Sequence, residues 1–325
     1  MRLKMVPKET KVDFFGFSKI SITLSSALVI GTIIAFFTMG LNFGIDFRGG
    51  TMLMVETPEA VEVSEYRELL REVVDGDVTV TELSDPAAAL TGEENNIIMV
   101  RIEQIGDDTA VQNDLIKVVK STLGDAFEGI VFLQTDSVGA KVSGELVQAG
   151  VLAIVLAVGA VLFYIWLRFE WQFSVGAVVA LIHDVFITIG IFCVTQIEFN
   201  LTIIAAILTI VGYSLNDTVV VFDRVRENLR RYKTMELKEV LNLSINETLS
   251  RTIMTSVTTL IALLTLYFLG GDVIRGFTFA MIWGVIIGTY SSIFVASVIL
   301  LRLGVKRDWE KPDNGAGTQF ADIDS

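Results

Sequence analysis

One cysteine, one histidine and a shortage of basic residues set the first limits on this 325-residue chain. Cys193 alone can form neither a disulfide framework nor a cysteine metal site, and within an apolar run it reads as a small packing residue. His183 beside Asp184 offers two ligands with no others near, which is not a metal site, and no cofactor is expected. The formal net charge of −13 has the wrong sign for a nucleic-acid partner. Gly49-Gly50 lacks the following helix and Lys-Ser/Thr that a phosphate loop needs.

What the chain does have is apolar length. Hydrophobic residues make up 52% of it and its mean hydropathy is +0.60, unlike a soluble domain of this size. Apolar segments at roughly 20–42, 143–167, 172–194, 200–222, 252–270 and 276–301 are each long enough to cross a bilayer. The first is too long, and lacks the small-residue cleavage pattern, to be a signal peptide, so it is expected to stay as an anchor. The fold class is a polytopic α-helical membrane protein with six transmembrane helices.

Basic residues orient it. Arg2, Lys4, Lys8, Lys11 and Lys19 precede the first span; Arg224, Arg226, Arg230, Arg231, Lys233 and Lys238 lie between the fourth and fifth; Arg302, Lys306, Arg307 and Lys311 follow the sixth. All three groups fall on one side, which is therefore cytoplasmic. The expected division is a cytoplasmic N-terminus at 1–19, a first span at 20–42 and an extracytoplasmic domain at 43–141. Spans two to six follow at 142–301 with a cytoplasmic loop at 223–250, then a cytoplasmic acidic tail at 302–325.

Segment 43–141 holds most of the acidic excess, which reads as solubility. Residues 51–56, 78–83, 97–102 and 130–133 are strand-like, with 86–96 a loop. Helices are expected at 64–74 and from a cap at Asp108 to about 123. The order β-α-β-β-α-β is the ferredoxin-like pattern, a fold that identifies no function by itself.

Inside the fourth span, Gly212-Tyr213-Ser214-Leu215-Asn216-Asp217-Thr218 places a carboxylate where it costs roughly 2.5–3.5 kcal/mol. Asp217 is either a proton-linked group, with Ser214 and Asn216 making its surroundings polar, or a marker of the membrane edge before Asp223 and Arg224. Arg251 opens the fifth span at similar depth, and Thr255 with Thr258 or Thr259 continues its face at helical spacing. Asp217 and Arg251 form either a proton relay lined by hydroxyls or a static buried ion pair. Asp184, with His183, is either a second relay group or a structural hydrogen bond to a neighbouring helix. Gly44, Asp46, Arg48, Gly49 and Gly50 suit a tight turn or hinge where the chain leaves the membrane. Gly284 and Gly288, four apart, with Ser291 and Ser292, allow close helix approach. Segment 236–248 is amphipathic, with Leu237, Val240, Leu241 and Ile245 on one side, and is expected to lie along the cytoplasmic membrane surface.

Five motifs converge: Gly44-Ile45-Asp46-Phe47-Arg48-Gly49-Gly50; Ala180-Leu181-Ile182-His183-Asp184-Val185; the run from Gly212 through Asp217-Thr218-Val219-Val220-Val221-Phe222-Asp223-Arg224 to Asn228; Thr248-Leu249-Ser250-Arg251-Thr252; and Gly288-Thr289-Tyr290-Ser291-Ser292. From about residue 14 to 302 the chain resembles the SecF family of protein-export membrane subunits in the SecD/SecF group. The resemblance implies half of an RND-type transporter, completed by SecD, that uses the proton-motive force to help move polypeptide across the cell inner membrane. It implies Asp217 and Arg251 as proton-linked residues and the glycine turn as the hinge end of the domain; the small-residue face of span six is either packing within the chain or the seam with SecD. Implied partners are SecD, the SecYEG translocon, YajC, translocating polypeptides and protons; no enzymatic activity is implied. Other readings are an RND-type proton-coupled solute transporter, which would need a cleft between paired domains, and a structural scaffold of the translocon. An intramembrane aspartyl protease using Asp184 and Asp217 lacks that family's Gly-x-Gly-Asp signature, and Arg251 would oppose the proton sharing of such a dyad.

Overall fold

Long uncharged runs force helix wherever the backbone must satisfy its own hydrogen bonds away from water. In the computed structural model, which describes residues 10–74, 76–83, 96–104 and 109–305, six helices are long and apolar enough to cross a membrane. They are α1 (Ser18–Thr38, entered through a 3-10 turn at Phe15–Phe17), α5 (Ala140–Arg168), α6 (Trp171–Thr195), α7 (Leu201–Arg231), α8 (Leu237–Leu269) and a sixth made of α9 (Asp272–Ser291), a π-helical turn (Ser292–Ala296) and α10 (Ser297–Leu303). All but the last residue of the expected loop at 86–96, the Asp108 cap, the basic residues before residue 10 and the tail beyond 305 lie outside the described residues; Asn96 itself opens a strand.

Helices α6, α7 and the sixth span form the buried centre of the bundle, while α1 and α5 are mostly exposed. Near the domain end, Phe192, Ile203, Ile207, Ile210 and Ala280 pack together. Toward the other end, Phe173, Phe222, Val225, Leu241, Ile245 and Leu300 form a second core. Gly284 lets α9 lie directly on Ile210 of α7, since a Cβ there would overlap that side chain.

Two expectations need correction. The segment at 236–248 does not lie on the membrane surface as a separate element. It is the first third of the unbroken helix α8, and its apolar face (Val240, Leu241, Ile245) is buried against α7. Asn242 and Asn246 hold the chain's N-terminal segment there, accepting the N–H groups of Phe14 and Val12 at 2.9 Å each. The polar residues that suggested a water-facing surface serve this docking instead. The fourth span also runs nine residues past the expected 222, because the charged stretch to Arg231 remains helical.

Between α1 and α5 stands a separate α+β unit. A single helical turn, α2 (Ile45–Arg48), leads into β1 (Gly50–Thr57), α3 (Val63–Arg71), β2 (Val78–Leu83), β3 (Asn96–Glu103), α4 (Thr109–Ala126) and β4 (Val131–Val138). The sheet order β2-β3-β1-β4, antiparallel throughout, is the ferredoxin-like arrangement that the strand pattern predicts. Strand alternation puts Leu53, Val55, Val80, Val100 and Ile102 on one face, against Tyr66 and Leu70 of α3 and Val119 and Leu123 of α4. The last strand is twice as long as the expected 130–133, since polar Gln134–Ser137 pairs with β1 as readily as the apolar residues before it.

Candidate functional site

The inward stripe of α7 runs Ile203, Ile207, Ile210, Ser214, Asp217, Val221, and so carries an apolar wall into a polar patch without changing face. Asp217 is buried, and its Oδ1 accepts the Thr252 hydroxyl of α8 at 2.5 Å. Its Oδ2 is buried with no hydrogen-bond partner among the described residues.

The expected close pairing with Arg251 is not formed. Thr252 points inward, and Arg251, about 100° further round the helix, is exposed and acts on Asp217 only through space. Thr255 and Thr258 share Arg251's exposed face and donate to carbonyls of their own helix, Thr255 to Arg251 and Thr252, Thr258 to Met254 and Thr255. Neither lines a path to Asp217. One turn beyond Thr252, the next inward hydroxyl on that helix is Ser256, 2.7 Å from Thr289 of α9.

Asp184 is the more tightly held carboxylate. At 1% exposure, its Oδ2 accepts Ser214 of α7 at 2.5 Å and Ser291 of α9 at 2.7 Å, and its Oδ1 lies 3.1 Å from His183 Nδ1. One side chain thus joins three helices. His183 stacks on Tyr290, whose hydroxyl donates to the Ser21 carbonyl of α1 at 2.7 Å. Between the two carboxylates lie Thr218 and Ser292, whose hydroxyls are 2.8 Å apart. Of the polar residues expected around Asp217, Ser214 serves Asp184 instead, and Asn216 faces outward.

Thr252, Thr218, Ser291 and Ser292 are therefore the site residues that sequence reasoning did not assign. The two serines followed a small-residue spacing and read as packing; Thr252 stood beside a more conspicuous arginine.

The glycine turn sits at the root of the domain. Gly49 (φ 76°) and Gly50 (φ 129°) occupy backbone conformations that favour glycine. Asp46 Oδ2 accepts the Leu201 N–H at 2.9 Å and so caps the start of α7, while Arg48 is exposed. Gly44 N–H donates to Phe199 O at 2.9 Å, and Phe199 N–H to Asn42 O at 2.7 Å. Arg101 on β3 pairs with Glu198 in the α6–α7 turn. Burial pushes the Glu198 carboxyl above the usual range; the Arg101 charge opposes this and Asp46 adds to it. Among the described residues no group of three His, Cys, Asp or Glu could hold a metal ion.

Comparison with known proteins agrees with this architecture. Residues 118–306 match the family model "Protein export membrane protein SecD/SecF, C-terminal", and residues 34–57, which include the glycine turn, match the SecD/SecF GG motif. The chain is 51% identical to a protein translocase subunit SecF from Cereibacter sphaeroides, covering 100% of this chain and 99% of the other. It is 53% identical to one from Ketogulonicigenium vulgare, covering 98% of each. A crystal structure of SecDF from Thermus thermophilus, described as a translocon-associated membrane protein, superposes with a TM-score of 0.80 at 33% identity. That match covers 93% of this chain and 40% of the other, so the chain spans well under half of SecDF. SecDF in a super-membrane-facing form matches with a TM-score of 0.64 at 32% identity, covering 91% and 39%. The chain is a multi-pass membrane protein that belongs to the SecD/SecF family of protein-export membrane proteins, on its SecF side.

Proposed function

We propose that this chain is an accessory subunit of the Sec protein translocase that works with SecD and uses the proton-motive force to promote late-stage movement of polypeptides across the cytoplasmic membrane. In this reading both termini are cytoplasmic and the ferredoxin-like domain, 43–141, is periplasmic, as the basic residues at the opposite ends of the spans favour. SecYEG and YajC are its further partners, and it is not an enzyme.

The observation that carries the proton reading is Asp217: a buried carboxylate within a membrane helix, with one oxygen on Thr252, the other without a hydrogen bond among the described residues, and the Ser292 hydroxyl nearby. Ionised, it only accepts hydrogen bonds; protonated, it gains an O–H that must find an acceptor. The contacts between α7, α8 and α9 therefore differ between the two protonation states. One charge moved through about 100 mV supplies roughly 2.3 kcal/mol, enough to bias such a pair of arrangements. An aspartyl-protease reading is disfavoured because Asp184 and Asp217 bond to different partners and share no proton.

The partnership with SecD has its own physical support. Ala205, Thr209, Gly212 and Asn216 form an exposed stripe on α7, and Arg251, Thr255 and Thr258 an exposed face on α8. Small and polar residues facing outward from membrane helices favour a protein neighbour over lipid. The homologous SecDF structure is long enough to contain a second half.

The test is export of a pulse-labelled secreted precursor in cells whose only copy carries Asp217→Asn, with membrane levels of this subunit and SecD checked. Late-stage export is expected to fail at normal protein levels, and likewise for Arg251→Met. Normal export would reduce Asp217 to a packing residue and leave a translocon scaffold as the better account.

A further inference from the structure

Where α5 ends and α7 passes it, four guanidinium groups meet around one open cavity of about 470 Å³. Arg168, Arg226, Arg230 and Arg231 line it together with Asp223 and Glu227. Asp223 pairs with Arg168 at 2.8 Å and lies 4.0 Å from Arg226, and Glu227 pairs with Arg224 at 2.5 Å, so four lining guanidiniums face two carboxylates. Positive charge is therefore in excess around the cavity. Arg226 is held in place by the Arg168 carbonyl at 3.3 Å, and the Phe169 ring lies about 5 Å from both guanidiniums.

The level of the cavity in the membrane is marked independently. Trp166, 62% exposed, and Trp171, 56% exposed, flank it at the ends of α5 and α6, where membrane helices carry their aromatic belt. Along α5, Leu152, Val155, Leu156 and Phe163 form an exposed apolar stripe that Trp166 and Leu167 continue to the end of the helix, where Arg168, about 140° round from Phe163, turns to the cavity. From residue 152 to 163 the stripe extends about 17 Å at 1.5 Å per residue, comparable to an acyl chain.

We propose that this cavity binds the phosphate headgroup of an anionic phospholipid, whose acyl chains lie on the exposed stripe of α5. Guanidinium forks suit phosphate oxygens, and a basic pocket between membrane helices at headgroup level selects anionic over zwitterionic lipid. The apolar stripe distinguishes this occupant from free phosphate, which would use the arginines alone.

The test reconstitutes the full-length protein in phosphatidylcholine bilayers containing brominated phosphatidylglycerol or brominated phosphatidylcholine at equal mole fraction. Tryptophan quenching then reports relative lipid binding. Wild type should prefer the anionic lipid, and the preference should shrink at high salt. Arg226→Gln with Arg230→Gln should weaken anionic binding about tenfold, while the charge-preserving Lys pair keeps most of it. Equal quenching by the two lipids in wild type, or a preference unchanged in the Gln pair, would overturn the proposal. Displacement by millimolar inorganic phosphate would overturn it in favour of a soluble-anion site. Quenching requires no export activity, so its outcome is independent of the translocation reading.

Discussion

Asp184 and Asp217 are both buried in the same bundle, yet their surroundings assign them different work. Asp184 has donors on both oxygens from three helices; among the described residues Asp217 accepts one hydroxyl, on one oxygen. Ser214→Ala or Ser291→Ala removes a donor from a buried carboxylate and should lower stability by about 1–3 kcal/mol. The check is a thermal melt of the purified protein, in which Asp217→Asn should shift the midpoint much less than either serine variant. Both aspartates stand out in the sequence because charge in an apolar run is rare and costly. Thr252 does not, because helix phase decides it: one residue of sequence is about 100° of direction, and Arg251 and Thr252 fall on opposite sides of that turn.

Among the elements, α7 is the one tied at both ends to chemistry. Its first turn is capped by Asp46 and flanked by the Arg101–Glu198 pair, and Asp217 lies further down the same helix. Glu198 faces Arg101, Asp46 and, across the adjoining cleft, Asp272. Its affinity for protons is higher docked than in water, so the docked arrangement binds protons more tightly than the undocked one. By linkage, docking of the domain on the root of α7 strengthens as pH falls from the raised value toward the ordinary 4.5, and that gain is lost as pH rises through the raised value. Spin labels on β2 and at the end of α6 should give a narrower distance distribution at pH about 5 than at about 8, while Glu198→Gln should be insensitive. The element types were readable from periodicity alone, 2.0 for strands and continuous apolarity for spans. The fate of 236–248 was not, since an amphipathic helix has the same pattern whether its apolar face meets lipid or the end of α7.

For the whole molecule, the exposed seam on α7 and α8 separates folding from assembly. Gly212 has nothing within 4 Å of a Cβ built on it, so Gly212→Phe should leave this chain folded and membrane-inserted. It should also abolish co-purification with SecD; retained co-purification would place the interface elsewhere. Gly284→Leu, whose Cβ meets Ile210, should instead cost the fold itself and show as loss of the protein from the membrane.

The π-helical turn at Ser292–Ala296 has a consequence for the sixth span as a mechanical part. A π-turn holds one residue more than the α-helix it interrupts. The two halves of the span are therefore offset by about 100° from a continuous helix of the same residues. Ser291 reaches Asp184 from one half, and Leu300 fills the core from the other. Passing that surplus residue one step along the ladder would rotate the serines relative to the leucine with almost no change in length. The span thus carries a reserve of rotation beside the buried carboxylates, and deleting Val295 should remove it by joining the halves in a single phase.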